Sequence, residues 1–191
     1  MNWNIWKLLS LAMLGLGLLP LHGQNEYVDS LLTVAEAQEP LKDRLEAYGA
    51  LVSFYRHRKP DSATYFAWEQ LAIAEAMNIP KELGVAYSDM AKTHYMESKR
   101  DSGLLFSAKA FEYLAETNDL GNQADVLTDW GSNLMMLGRM GEAKEKLAKG
   151  LKIAYQSEKA VRIQTLHYHL GQWMMVSVQH DSAIWHLQQA G

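Results

Sequence analysis

The chain has 191 residues, of which 48% are apolar and 21% charged, and its formal net charge is −4. The basic residues are interleaved with acidic ones, so there is no clustered basic face of the kind that holds nucleic acid. Cysteine is absent, which excludes disulfides, thiolate metal sites and a lipidated N-terminal cysteine.

Residues 1–23 differ in kind from the rest. Met1 to Lys7 carries a positive charge, Leu8 to Leu19 is a nearly unbroken apolar run, and Pro20-Leu21-His22-Gly23 follows. That layout is the three-part plan of a secretory signal peptide, with cleavage expected between Gly23 and Gln24. The apolar run is shorter than the ~20 residues a spanning helix needs, so cleavage is favoured over anchoring. The mature protein is therefore expected outside the cytoplasm, in the periplasm or an equivalent extracytoplasmic space.

Residues 24–40 contain Tyr27-Val28-Asp29-Ser30-Leu31-Leu32, a short helical lead-in that is expected to cap the N-terminal end of the core. Residues 41–191 repeat. Asp61-Ser62-Ala63, Asp101-Ser102-Gly103, Gly141-Glu142-Ala143 and Asp181-Ser182-Ala183 each begin 40 residues after the last. A fixed period of this size marks stacked helical hairpins, each unable to bury its apolar face alone. The units are 41–80, 81–120, 121–160 and an incomplete 161–191. Their first helices are predicted over Leu41–Arg58, Leu83–Lys99, Gln123–Arg139 and Arg162–Gln179. The second helices are predicted over Asp61–Met77, Asp101–Thr117, Gly141–Ser157 and from Asp181 onward. Asp61, Asp101 and Asp181 are read as N-caps. Pro60 and Pro80 bracket the first second-helix, where a missing N–H is harmless.

Two positions per unit call for small residues where the helices of a hairpin approach. They are Leu51, Ala91, Gly131 and Gly171 on the first helix, and Ala63, Gly103, Ala143 and Ala183 on the second. Leu51 breaks the pattern and predicts a looser first hairpin. Trp68, Trp130, Trp173 and Trp185 are read as packing between helices.

The alternation of small and apolar positions resembles the tetratricopeptide repeat. A further small position at Ala110, Gly150 and Ala190 belongs to the same pattern, with Gln70 departing from it. The usual closing proline is missing, and connections such as Asn118 to Asn122 stretch the unit to 40 residues. The chain is similar in this to exported bacterial tetratricopeptide proteins, including the N-terminal arrays of sensor kinases and regulators. The resemblance implies an all-α fold, a right-handed α-solenoid of tetratricopeptide-like hairpins, whose first helices line a concave groove. Carried over position by position, it nominates Tyr48, Tyr55, Arg56, Lys92, Tyr95, Met135, Tyr168, Gln172 and Met175 as partner-binding groove residues. Tyr and Met there suit an adaptable apolar or amphipathic peptide surface.

Chemistry finds no foothold. His167 and His169 are two apart on a helix and point about 200° apart, so they cannot share an ion. His57 and His94 read as half-exposed polar residues near helix ends. Asp125 and Asp129 lie one turn apart with no base beside them in sequence, which reads as a solvated face. No cofactor, metal or catalytic residue is expected. The leading expectation is a non-catalytic, exported scaffold for a protein or peptide partner. The alternative is the sensory input region of a longer membrane-bound signalling protein, a histidine kinase or helix-turn-helix regulator. The unfinished last hairpin favours a fragment, in which case the membrane would be reached only through a downstream segment.

Overall fold

The computed structural model describes residues 22–37, 40–157, 160–176 and 180–190. The expected signal peptide lies almost wholly outside these residues. Among them there are nine helices and no strand. Helix α1 (His22–Glu36) precedes four hairpins: α2 (Leu41–Tyr55) with α3 (Pro60–Met77), α4 (Pro80–Met96) with α5 (Arg100–Ala115), α6 (Leu120–Met136) with α7 (Met140–Gln156), and α8 (Ala160–Val176) with α9 (His180–Ala190). The fold is an all-α solenoid of these hairpins.

Each helix packs on its chain neighbours, and α2, α4, α6 and α8 also touch one another in succession. Among the described residues the second helices α3, α5, α7 and α9 make no such contact with each other. The first helices thus form an inner layer and the second helices an outer one, which is the arrangement that curves a solenoid around its first helices. No described helix is long and apolar enough to cross a membrane.

The helix starts fall up to three residues before those expected from the sequence. Pro60 and Pro80 open α3 and α4 from the first turn, where proline's fixed φ suits the helix and its missing N–H costs nothing. The caps of α3 and α5 are Lys59 and Lys99, neither of which forms a side-chain cap bond. Asp61 and Asp101 stand inside the first turn instead. Their role is to complement the positive end of the helix dipole, not to cap. The side chain of Asp181 lies outside the described residues. Asp119 does cap: its carboxylate accepts the Asn122 N–H at 3.1 Å. Between α6 and α7 the chain turns through Gly138, whose φ of 73° is the left-handed conformation glycine adopts without strain.

Helix α1 closes the N-terminal end. Val28 and Ala35 are buried, and Tyr27 lies 6.3 Å from the Phe54 ring of α2. The Arg44 Nε–H of α2 donates to the Ala35 carbonyl at 2.9 Å, satisfying an acceptor near the end of α1. Farther along, Phe106 borders both clusters of buried residues and joins them into one continuous core.

Inside the hairpins the small residues meet large side chains as well as each other's backbone. A Cβ on Gly131 would stand 2.7 Å from Leu147 Cγ and 3.3 Å from the Ala143 carbonyl oxygen, and one on Gly171 would stand 2.7 Å from Leu187 Cγ. The 40-residue register makes Leu51 the counterpart of Gly131 and Gly171, and Ala67 the counterpart of Leu147. Leu51 and Ala67 are both 0% exposed. Unit one has exchanged the large and small partners and keeps both buried, while its two helices make fewer close approaches than those of the other hairpins, as expected of a looser first hairpin. Two of the four tryptophans act as expected. Trp173 is buried and donates its indole N–H to the Met140 carbonyl at 2.7 Å, and Trp130 is half-buried. Trp68 and Trp185 are 50% and 51% exposed, so these two are only edge-packed.

Candidate functional site: the inner face of the solenoid

The inner layer offers two adjoining clefts. One, of about 230 Å³, is lined by Arg56 and His57 just past α2, by Lys92, Tyr95 and Met96 of α4, and by Asp129 and Asn133 of α6. The other, of about 430 Å³, is lined by Lys92, by Asp125, Thr128 and Asp129 of α6, and by Val161, Arg162 and Thr165 of α8. Lys92 and Asp129 border both. The floor of the groove is therefore charged.

Most of these charges are neutralised within the wall. Asp89 is buried, and its two carboxylate oxygens receive Gln70 Nε2 from α3 at 3.2 Å and Lys92 Nζ at 3.5 Å. Arg162 grips Asp125 with two donors, at 2.9 and 3.0 Å, and so ties α8 to α6. Arg100 reaches in from α5 to the Asn133 side-chain carbonyl at 2.7 Å. Among the described residues Arg56 and Asp129 enter no ion pair. Burial holds the Asp129 carboxyl above the ordinary carboxylate range; neighbouring Asp125 and Asp89 push the same way, while Lys92 and Arg56 oppose them. His169, in the equivalent position on α8, is hydrogen-bonded to Ser132 of α6 at 3.2 Å, and burial lowers its basicity.

The nominated residues scatter over this geometry. Arg56 and Lys92 do line the central cleft. Tyr48 and Tyr95 are each 5% exposed, and of the two only Tyr95 reaches the lining of a cleft. Tyr48 packs toward Phe66, and the Tyr95 hydroxyl bonds Ser107 of α5 at 2.7 Å inside its own hairpin. Tyr95 presents only an edge to the cleft. Tyr55 is half-buried and stacked on Phe66, and Met135 is half-buried against the second core cluster. Tyr168 and Met175 are exposed on α8, as is Gln172, whose amide donates to the Tyr168 hydroxyl at 2.9 Å. The expected tyrosine and methionine floor is thus corrected to a charged floor; Met96 lines the central cleft, and Met136 and Met175 are exposed on α6 and α8.

Asp125, Asp129, Asn133, Arg162 and His57 were not singled out as groove residues from the sequence. The bases that answer Asp125 and Asp129 come from other helices, Arg162 lying 37 residues away from Asp125. The available signal was the row Gly49, Asp89, Asp129, His169, which runs polar through three units. A third concavity, of about 690 Å³, lies among the loops beside Lys81, Asp119, Gln156 and Arg162. Its Asp119 is occupied with capping and with Lys81 at 3.2 Å. Among the described residues no group of three or more His, Cys, Asp or Glu is placed to hold a metal ion.

No family model matches the sequence, and no curated protein matches it either. Solved structures do match in shape. The structure of BtubC (BKLC) from P. vanneervenii superposes with a TM-score of 0.73 at 14% identity, covering 87% of this chain and 70% of that one. The nearly identical TPR-like repeats of a Podosopora anserina protein named as a kinesin light chain give 0.64 at 14% identity, covering 87% of each chain. A singly substituted form of those repeats gives 0.66 at 14% identity, over 87% of this chain and 86% of that one.

The fold is a tetratricopeptide-like repeat solenoid. At this identity the likeness establishes architecture alone. Solenoids of this type are generally non-enzymatic scaffolds for protein–protein contacts, presenting an extended inner surface that a single globular core lacks.

Proposed function

We propose that this tetratricopeptide-like solenoid is a non-catalytic, exported scaffold that holds a peptide or protein segment along its inner face. The observation that carries the reading is the pair of adjoining clefts that meet at Lys92 and Asp129, with the exposed Met96 in the lining of one. A segment lying there would meet opposite charges at the centre and an adaptable apolar contact at Met96, which favours an amphipathic ligand of mixed charge. Export is supported by the charged start and apolar run of residues 1–23.

Peptide selection from a random library, repeated with Lys92→Glu/Asp129→Lys and with Leu105→Asp on the outer layer, tests the binding site. Peptides that bind the parent and the Leu105 variant but lose at least tenfold with the groove variant support the reading. Loss confined to the Leu105 variant would move the site to the convex face. Fusing residues 1–23 to a reporter and fractionating the cells tests export; a reporter retained at full length in the cytoplasm would overturn it.

A further inference from the structure

A hydrogen-bonded chain of three side chains runs from the third hairpin into the fourth. The Tyr155 hydroxyl of α7 lies 2.9 Å from His167 Nε2 of α8, and His167 Nδ1 lies 2.7 Å from His186 Nδ1 of α9. His167 is 1% exposed, and Trp185 sets its ring edgewise against both imidazoles, at 5.4 and 4.7 Å. The same register positions hold Ala47 with Phe66, Tyr87 with Phe106, and Leu127 with Lys146 in the other three units. Only the fourth unit places there two groups that titrate near neutral pH.

We propose that His167 and His186 make the α8–α9 hairpin an acid-released element of the solenoid. Two nitrogens facing each other at 2.7 Å share a single proton. In the neutral pair one Nδ1–H donates and the other Nδ1 accepts, while His167 Nε2 either accepts from Tyr155 or donates to it. One added proton is tolerated: it enters at His186 Nε2, the His186 Nδ1–H donates to His167, and the His167 Nε2–H donates to Tyr155. A second proton leaves an N–H on both facing nitrogens and a positive charge on both rings. The contact must then open.

Among the described residues no carboxylate acts on either imidazole. Helix α7 presents Tyr155, α9 presents Trp185 and His186, and the α6 carboxylate that reaches α8, Asp125, is held by Arg162. The side chains of His180 and Asp181 lie outside the described residues. Burial pushes both imidazoles below the ordinary histidine range, and the His186 charge pushes His167 further. The unfolded chain therefore binds protons first, and the hairpin loses stability as pH falls through about 6.5 and below. Among the described helices α9 touches only α8, so within them its docking rests on this contact.

Hydrogen exchange read by mass spectrometry on the full chain, at pH 7.5 and pH 5.0 and corrected for intrinsic rates, tests the idea. Amides of α9 should lose at least tenfold protection at the lower pH, relative to those of α6 and α7. The variant His167→Leu/His186→Lys, which copies unit three, should abolish that difference, as should His186→Phe, which copies units one and two. Should the double variant fail to fold, the single one decides. An equal loss in parent and variants, or no loss in the parent, would overturn the assignment, as would NMR titration showing the two imidazoles protonating independently.

Discussion

Leu147 occupies the space above Gly131: a Cβ on the glycine would come within 2.7 Å of the leucine Cγ. The register reverses the pair in unit one, where Leu51 stands for the glycine and Ala67 for the leucine. Volume is kept while its side of the hairpin changes. Gly131→Leu alone should overpack and cost about 1–3 kcal/mol, and Leu147→Ala alone should leave a cavity costing about 2–5 kcal/mol. The double variant rebuilds the arrangement of unit one and should cost clearly less than the sum. Urea unfolding measures all three; additive losses would show that the two residues do not share one space.

The Tyr95 hydroxyl and the Ser107 hydroxyl, both buried, satisfy each other at 2.7 Å. Tyr95→Phe leaves Ser107 without its partner and should cost about 1–2 kcal/mol. Tyr95→Phe/Ser107→Ala should recover most of it. Because the ring belongs to the core, Tyr95→Phe should leave peptide capture unchanged. Gly103 lies beneath that ring, so Gly103→Ala should destabilise by a comparable amount. Chemical denaturation of the set, beside a peptide-capture assay, checks each of these.

His94 is buried at both ring nitrogens and neither has a hydrogen-bond partner among the described residues. Its register counterparts are Phe54, Leu134 and Met174, all apolar. Burial is the main cause that lowers its pKa. Since the unfolded chain binds the proton more readily, the parent loses stability as pH falls through about 6.5. His94→Leu should add about 1–2 kcal/mol at pH 7 by removing an unsatisfied polar group. The margin should widen at pH 5.5. Melting curves at the two pH values would refute this if the variant were the less stable at either.

Asp129 carries the opposite sign. With its carboxyl held above the ordinary range, the folded state binds the proton more readily than the unfolded state. The charged carboxylate therefore costs stability at neutral pH, and the cost disappears as pH falls through the raised value. Asp129→Asn should melt above the parent at pH 7 and close to it near pH 4. A variant that melts lower at pH 7 would mean that Lys92 and Arg56 outweigh the burial.

Arg162 and Asp125 join α8 to α6 with good geometry but remain about a third and two-fifths exposed, at 32% and 42%. Solvent screening limits such a pair, so a double-mutant cycle with Arg162→Ala and Asp125→Ala should give a coupling below about 1 kcal/mol at physiological salt. A larger value would make this pair a main determinant of how the third and fourth hairpins stack.

The sequence by itself determined the period and the helix order; the division into inner and outer layers came only as what the resemblance to the tetratricopeptide repeat implies. Period and order each depend on spacing within a segment or on the return of the same residue class 40 positions on, and both survive without knowledge of neighbours. It also marked Gly131 and Gly171 as close approaches, since a mid-helix glycine needs a packing reason. What fills the space above them, Leu147 and Leu187, was decided only in three dimensions. The same holds for the groove. Successive residues on a helix point about 100° apart, so Asp129 borders both clefts while its neighbour Thr128 is mostly buried and borders one. Tyr48 and Tyr95 turned into the core, while Asp129 met the fields of Lys92 and Arg56 across helix boundaries. His167 and His186, 19 residues apart, share no spacing that a linear chain displays. Only the closing of α9 onto α8 brings their nitrogens together.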